Sequence, residues 1–298
     1  MKYPHILAAF ASEYWAMEEA KLLAIVDFLT FQADGGKLSA EEIEARIAPQ
    51  TATAVARQEG AISIIPLRGI ISPRVGMMGS LSSSGTTAEG FAAAVDKAAA
   101  DDKVKAIIVD ADTPGGNVIN VDEAAAAVAA VRGTKPIVVQ VTGNLASAGY
   151  WIGSTADEIV VSPSSAVGAI GVRTAYDDVT AALEKSGISR EIISAGKFKG
   201  EGLLGPLSDD TRAYMQGRVD DYFGMFVDRV ASGRGVTAAQ VRDGFGQGRM
   251  LGASAAVKEG MADRVATMKE TLARFGATSP APRKFAPARE KRALALRN

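Results

Sequence analysis

Between Ala61 and Pro163 the chain alternates runs of branched apolar residues with alanine-rich helical runs, joined by turns of small residues. "AISIIPLRGII" reads as a strand, "AEGFAAAVDKAAADD" as a helix, "VKAIIVDAD" as a buried strand, "VDEAAAAVAAVRG" as a helix and "KPIVVQV" as a strand. Strands that alternate with helices at this spacing predict a mainly parallel sheet covered by helices. The expected fold is therefore α/β, built from repeated ββα or βαβ units. "DEIVVSP" and "AVGAIGV" add strands, "SREIISAG" reads as a strand or strand end, and Ser208–Ser232 carries a long helical pattern. "TAYDDVTAALEKSG", "VTAAQVRDGF" and "SAAVKEG" read as shorter helices.

The flanks differ in character. "YWAMEEAKLLAIVDFLT" (14–30) has helix formers at helical spacing, and "LSAEEIEARI" starts a second helix with a capping-box pattern, Ser39 with Glu42. Residues 1–57 are expected to form a helical arm, 58–270 the core, and 271–298 a basic, Pro/Ala-rich, disordered tail. "SPRVGMMGSLSSSGTTAEG" (72–90) reads as a mobile loop. "HILAAFA" is too short for a leader and soon meets Glu13, Glu18 and Glu19, so it reads as amphipathic helix. No apolar run approaches the roughly 20 residues of a membrane span.

Composition removes several chemistries. There is no cysteine, hence no disulfide, thiol nucleophile or thiolate metal site. The single histidine, His5, lies near the start of the chain and is poorly suited to a Ser-His-Asp triad or a metal centre. The formal net charge of −1 gives no general argument for nucleic acid or an anionic membrane.

Two turns can carry chemistry. In "DTPGGNV", Gly115 and Gly116 follow a buried strand, where uncovered N–H groups can hold a developing oxyanion. In "GNLASAGYW", Ser147 follows a strand and precedes a helix, at the end of the sheet where open α/β sites form. A small residue chosen for close packing fits the same position. Without histidine, a serine nucleophile needs another base, and "SAGKFKGEG" offers Lys197 and Lys199. A lysine base must be desolvated or set beside another cation; lowering its pKa by about 3 units corresponds to about 4 kcal/mol.

"VDADTPGGNV", "GNLASAGYWIGSTADEIVVSPSSAVGAIGV" and "ISAGKFKG", followed by "GRMLGASAAVKEGMADRV" (248–265), resemble in order and content the signal peptide peptidase A family of Ser-Lys peptidases, over about residues 60–267. The resemblance implies a crotonase-like, Clp-protease-like fold of repeated ββα units. It implies Ser147 as nucleophile, Lys199 as general base with Lys197 the weaker match, and the N–H groups of Gly116 and Ala148 as the oxyanion hole. No metal or cofactor is implied. The expected partners are a peptide or protein substrate and further copies of the chain, with serine and lysine of one site drawn from neighbouring subunits.

The helical arm and the absence of an anchor resemble the phage head-maturation and capsid-assembly branch, lambda C protein-like, with capsid, portal or scaffold proteins as partners and the cytoplasm or a prohead as location. A soluble bacterial signal-peptide-peptidase-like protease is the nearest alternative. A catalytically silent capsid-assembly protein would leave Ser147 and Lys199 without purpose. So would a crotonase-type acyl-CoA enzyme, which uses a similar oxyanion geometry.

Overall fold

The computed structural model describes residues 12–33, 56–74 and 85–276. In chain order its elements are β1 (Trp15–Met17), α1 (Glu19–Ala33), β2 (Arg57–Glu59), β3 (Ile62–Arg68), β4 (Ile71–Ser72), β5 (Thr86–Thr87), α2 (Ala88–Ala100), β6 (Ala106–Thr113), β7 (Gly115–Asn117), α3 (Val121–Val131), β8 (Ile137–Ala146), α4 (Ala148–Gly153), β9 (Glu158–Val161), β10 (Ala166–Gly168), α5 (Thr180–Lys185), α6 (Asp209–Arg234), α7 (Ala238–Asp243), β11 (Met250–Gly252), α8 (Ala253–Lys258), β12 (Arg264–Val265) and α9 (Met268–Arg274).

The frame is the parallel trio β3, β6 and β8, with Ile62–Arg68 in register against Ala106–Asp112 and Ile107–Ala111 in register against Ile137–Val141. Successive side chains leave a strand on opposite faces. Ile107, Val109 and Ala111 enter the main core under α2 and α3, while Ile108 joins Ile62 and Ile64 beneath Met268, Leu272 and Phe275. Burial on both faces explains the unbroken Ile/Val runs. Helix α2 turns Ala88, Phe91, Val95 and Ala98 inward, the spacing of a single helical face. Strand β8 forks: its first half pairs β9 and its last three residues pair β10, both parallel. β2 and β11 close the edges antiparallel.

A second, small sheet runs β1-β7-β4-β5. A strand of the large sheet, a short strand of the small sheet and a helix therefore repeat, as β3-β4-α2 and β6-β7-α3. This is the ββα repeat that the sequence predicts, and it carries both site turns to one end of the frame.

Three expectations change. The helix expected from Tyr14 begins at Glu19, because Trp15, Ala16 and Met17 are buried and paired with β7. Tertiary pairing and burial outweigh the helix propensity of Ala, Met and Glu there. "SREIISAG" pairs with no strand among the described residues, and Ile193 is 93% exposed. The folded region also continues past 270: α9 is capped by Thr267 and Glu270, and the buried Thr271 hydroxyl donates to Gln140 Oε1 at 2.5 Å. The segment "HILAAFA", the helix expected at 39–47, most of the expected loop at 75–84 and the tail from 277 lie outside the described residues. Among the described residues no helix is long and apolar enough to cross a membrane.

The far end of the large sheet is tied down by Asp263. Its carboxylate takes both arms of Arg234, at 2.9 and 2.8 Å, and the Ile159 N–H at 2.7 Å. Burial opposes ionisation of Asp263, but the Arg234 and Ile159 hydrogen bonds outweigh it and hold the carboxyl below its ordinary range. An unfolded Asp titrates near about 3.9. The folded value is lower, so this contribution is full above that pH and is lost as pH falls through the folded value. The thermal midpoint should fall as pH drops below about 4, and Asp263→Asn should both lower it at pH 7 and flatten that acid slope, as read by circular dichroism melts.

Candidate active site

Strand β6 ends in a shift of register between Ala111 and Thr113. Buried Thr113 then shapes the turn: its hydroxyl donates to the Gly69 carbonyl at 2.6 Å and accepts the Gly115 N–H at 3.1 Å. Gly115 has φ +94°, a left-handed conformation that favours glycine. A methyl group built on it would lie 2.2 Å from the Ala16 carbonyl oxygen and 3.0 Å from Ser147 Cβ. One built on Gly116 would lie 1.9 Å from the Ile71 carbonyl oxygen. The two glycines are thus where β1, β4 and the end of β8 come together.

Ser147 stands between β8 and α4 with φ 51° and ψ −115°, unfavourable for a residue with a side chain, and is 1% exposed. Its N–H donates to the Gly168 carbonyl at 2.7 Å, and its carbonyl accepts the Trp151 N–H at 2.8 Å. The hydroxyl has one long contact, 3.5 Å to the Gly171 carbonyl. Helix α4 is held from behind. Trp151 stacks on Phe226 of α6 at 4.7 Å between centroids, a contact worth about 0.5–1.5 kcal/mol beyond burial. The Trp151 indole N–H donates to Asp122 at 3.2 Å, and Arg229 grips that carboxylate at 2.8 and 2.6 Å. That hydrogen-bonded pairing raises the Arg229 pKa above its ordinary value.

The two turns are also locked to each other. The Asn144 N–H donates to Asp112 Oδ1 at 3.0 Å, and a Cβ at Gly143 would meet the same oxygen at 2.1 Å. A side chain at 143 would therefore displace the Asp112 carboxylate from this bond.

Of the residues singled out from sequence, the structure brings Gly115, Gly116, Ser147 and Ala148 together. The Ala148 N–H, in the first turn of α4, has no acceptor within its helix. Gly116 is already engaged. In the β1–β7 ladder Glu18 N–H donates to Pro114 O and Val118 N–H to Tyr14 O. Bonded pairs alternate along an antiparallel ladder, so Ala16 and Gly116 are the pair between them that exchanges both bonds, and the Gly116 N–H donates to the Ala16 carbonyl.

Lys199 is not brought to Ser147. It is exposed in the turn at 196–200, and no hydrogen bond or ion pair links its side chain to another group among the described residues. Lys197 lies with its ammonium 4.6 Å from the Phe198 ring centroid, a cation–π contact. Around both, Ile188, Ile193, Phe198 and Leu203 are exposed.

The segment Ala169–Thr174 passes between clefts. One, of about 620 Å³, has Trp15, Met17, Ala169, Arg173 and Arg249 in its walls; another, of about 500 Å³, has Ile170, Val172, Phe223 and Val241. Among the described residues there is no acidic or histidine cluster fit to hold a metal ion. Sequence reasoning missed the part played by β1. Its signal, the aromatic pair Tyr14-Trp15 ahead of Ala16-Met17, is short and adjoins strong helix formers.

The strained backbone at Ser147 has a measurable consequence. Glycine tolerates this conformation and alanine does not, so Ser147→Gly should melt above Ser147→Ala by about 2–4 °C, equivalent to about 1 kcal/mol in a chain of this size. Equal midpoints would mean that the conformation carries no strain.

Residues 129–279 match the profile of Peptidase family S49. Capsid assembly protease C of Escherichia phage lambda is 29% identical over 255 residues, which cover 83% of this chain and 57% of that one. Protease 4 of Salmonella typhi is 30% identical over 216 residues, 72% of this chain and 34% of that one. The chain thus spans little more than half, or less, of the length of these relatives. A solved membrane-bound stomatin-specific protease superposes with a TM-score of 0.45 at 18% identity, covering 73% of this chain and 86% of that one. The S49 match takes in the β8–α4 junction with Ser147, the segment around Lys199 and the closing strands, and with it the crotonase-like, Clp-protease-like α/β fold: the chain belongs to peptidase family S49.

Proposed function

We propose that the protein is a serine endopeptidase in which Ser147 is the nucleophile, Lys199 the general base, and the N–H groups of Gly116 and Ala148 the oxyanion hole. The observation that carries this reading is the meeting of two turns about thirty residues apart, with Ser147 Cβ 3.0 Å from where a Gly115 side chain would begin. Ser147 Oγ attacks a peptide carbonyl whose oxygen lies between the two N–H donors, and the electrostatic stabilisation of that oxyanion lowers the barrier. The base takes the hydroxyl proton, passes it to the leaving amine, and then activates water against the acyl-enzyme.

Lys199 becomes a competent base by being desolvated. In the single chain it is exposed among exposed apolar residues, which favours an oligomer in which a neighbouring copy covers the 188–203 segment and receives Lys199 beside its own Ser147. The substrate class is protein. The similarity to a phage capsid assembly protease supports capsid or scaffold proteins as substrates and the cytoplasm or a prohead as the location.

Ser147→Ala and Lys199→Ala should each lower casein hydrolysis by at least about 100-fold, within the range expected for loss of a nucleophile or its base. Mixing the two purified variants should restore a measurable fraction of the activity, because some sites in mixed oligomers regain both groups. Full activity of either variant alone would remove that residue from the mechanism.

A further inference from the structure

Strand β1 lies in a slot, not on an edge. On one side it pairs antiparallel with Gly115–Asn117, as Trp15 with Asn117, Ala16 with Gly116 and Met17 with Gly115. On the other side Trp15 exchanges both backbone bonds with Arg173, at 2.8 and 3.0 Å. Side chains reinforce the placement: the Arg173 guanidinium donates to the Met17 carbonyl at 3.2 Å, Thr174 to the Ser12 carbonyl at 2.9 Å, and Asn117 to the Glu13 carboxylate. An extended segment held on both sides by main-chain bonds is the way a peptide is gripped by strand addition.

The register of that segment singles out one bond. The Ala16 carbonyl oxygen accepts from Gly116 N–H, one of the two groups assigned above to the oxyanion hole. The same oxygen and Ser147 Cβ both come close to Gly115, 2.2 and 3.0 Å from a methyl built there. Trp15 and Met17 turn together onto Ile70, while Ala16 turns the other way, into the main core. The residue whose carbonyl shares the Gly115 corner with Ser147 is therefore the small one, and its side chain is fully enclosed.

We infer that Trp15–Met17 occupy the substrate position of this chain's own site and that the Ala16–Met17 peptide bond is a self-cleavage site. The inference rests on the peptidase reading above. In the first step the Ser147 Oγ to Ala16 carbonyl-carbon bond forms, the carbon–nitrogen bond to Met17 breaks, and the hydroxyl proton leaves through the base to the Met17 amine. In the second, one water molecule cleaves the ester, its hydroxide going to the Ala16 carbonyl carbon and its proton to Ser147. The products are a chain ending at Ala16 and a chain beginning at Met17.

The test is intact-mass and N-terminal analysis of the full chain after incubation, with casein and the peptide SEYWAMEEA digested by the same preparation. The expected result is a new N-terminus at Met17 in the wild type, cleavage of the peptide between Ala and Met, and neither event in Ser147→Ala or in Ser147→Gly, the second inactive variant, in which the backbone strain is relieved. Casein hydrolysis with the Ala16–Met17 bond of the chain intact would overturn the self-cleavage site and leave the peptidase reading standing. The same cut in the folded Ser147 variants would assign it to another protease and also overturn the site. A wild type that cleaves neither casein nor itself would overturn both.

Discussion

Gly115 and Gly116 are the point on which the site depends. Backbone from β1, from β4 and from the β8–α4 junction converges on them so closely that a single methyl at either would strike a carbonyl oxygen at about van der Waals overlap, 2.2 or 1.9 Å. Any side chain there would push β7 away from β1 and β4, with which it pairs, and from the Ser147 turn. The absence of side chains also leaves N–H groups within reach of a carbonyl, which is the condition for an oxyanion hole. The packing alone imposes glycine at these positions, and the proposed oxyanion role of Gly116 would impose the same residue for a different physical reason.

The frame around that point is arranged to hold strain at Ser147. Its backbone, at φ 51° and ψ −115°, is of a kind that costs of order 1–3 kcal/mol and persists only when the surroundings over-determine it. Here the surroundings do so from three directions. Gly168 binds the Ser147 N–H, Trp151 N–H closes the first turn of α4, and the Trp151–Asp122–Arg229 chain with the Phe226 stack fixes that helix to α3 and α6. The Asp112–Asn144 bond then keeps the end of β8 at a set distance from the end of β6. Each support comes from a different element, so the serine's position is a property of the whole α/β core and not of its own turn.

Much of this was legible in the sequence because burial dictates it. Ile107–Val109 and Ile137–Val139 are apolar without interruption because both faces of those strands are covered, and α2 and α3 display their inward stripe in the spacing of their apolar residues. Ser147 and the Gly115–Gly116 turn stood out because each follows a strand at the end of the sheet where open α/β sites form. Strand β1 was not legible. Three residues are too few for a period to show, and what makes Trp15–Met17 a strand is the pair of partners, β7 and Arg173, that lie about a hundred and about a hundred and sixty residues further along. The environment of Lys199 was hidden for a related reason. Local sequence can nominate a lysine, but desolvation is supplied by whatever packs over it, and among the described residues Lys199 is exposed.

These two hidden features describe opposite halves of one site. In the proposed site, the slot for an extended segment is filled by β1, bonded on both sides. The half that would activate the nucleophile is open, with the lysine exposed on a segment whose apolar residues Ile188, Ile193, Phe198 and Leu203 also lack cover. Covering that segment buries apolar surface, which favours association, and in the same event removes water from Lys199. Binding and activation are then separated in origin: the first follows from folding of one chain, the second from a second surface. On the roles proposed for Ser147 and Lys199, the peptide slot stays occupied until the surface that completes the base arrives, and control over the chemistry would lie in the 188–203 segment and not in the serine turn.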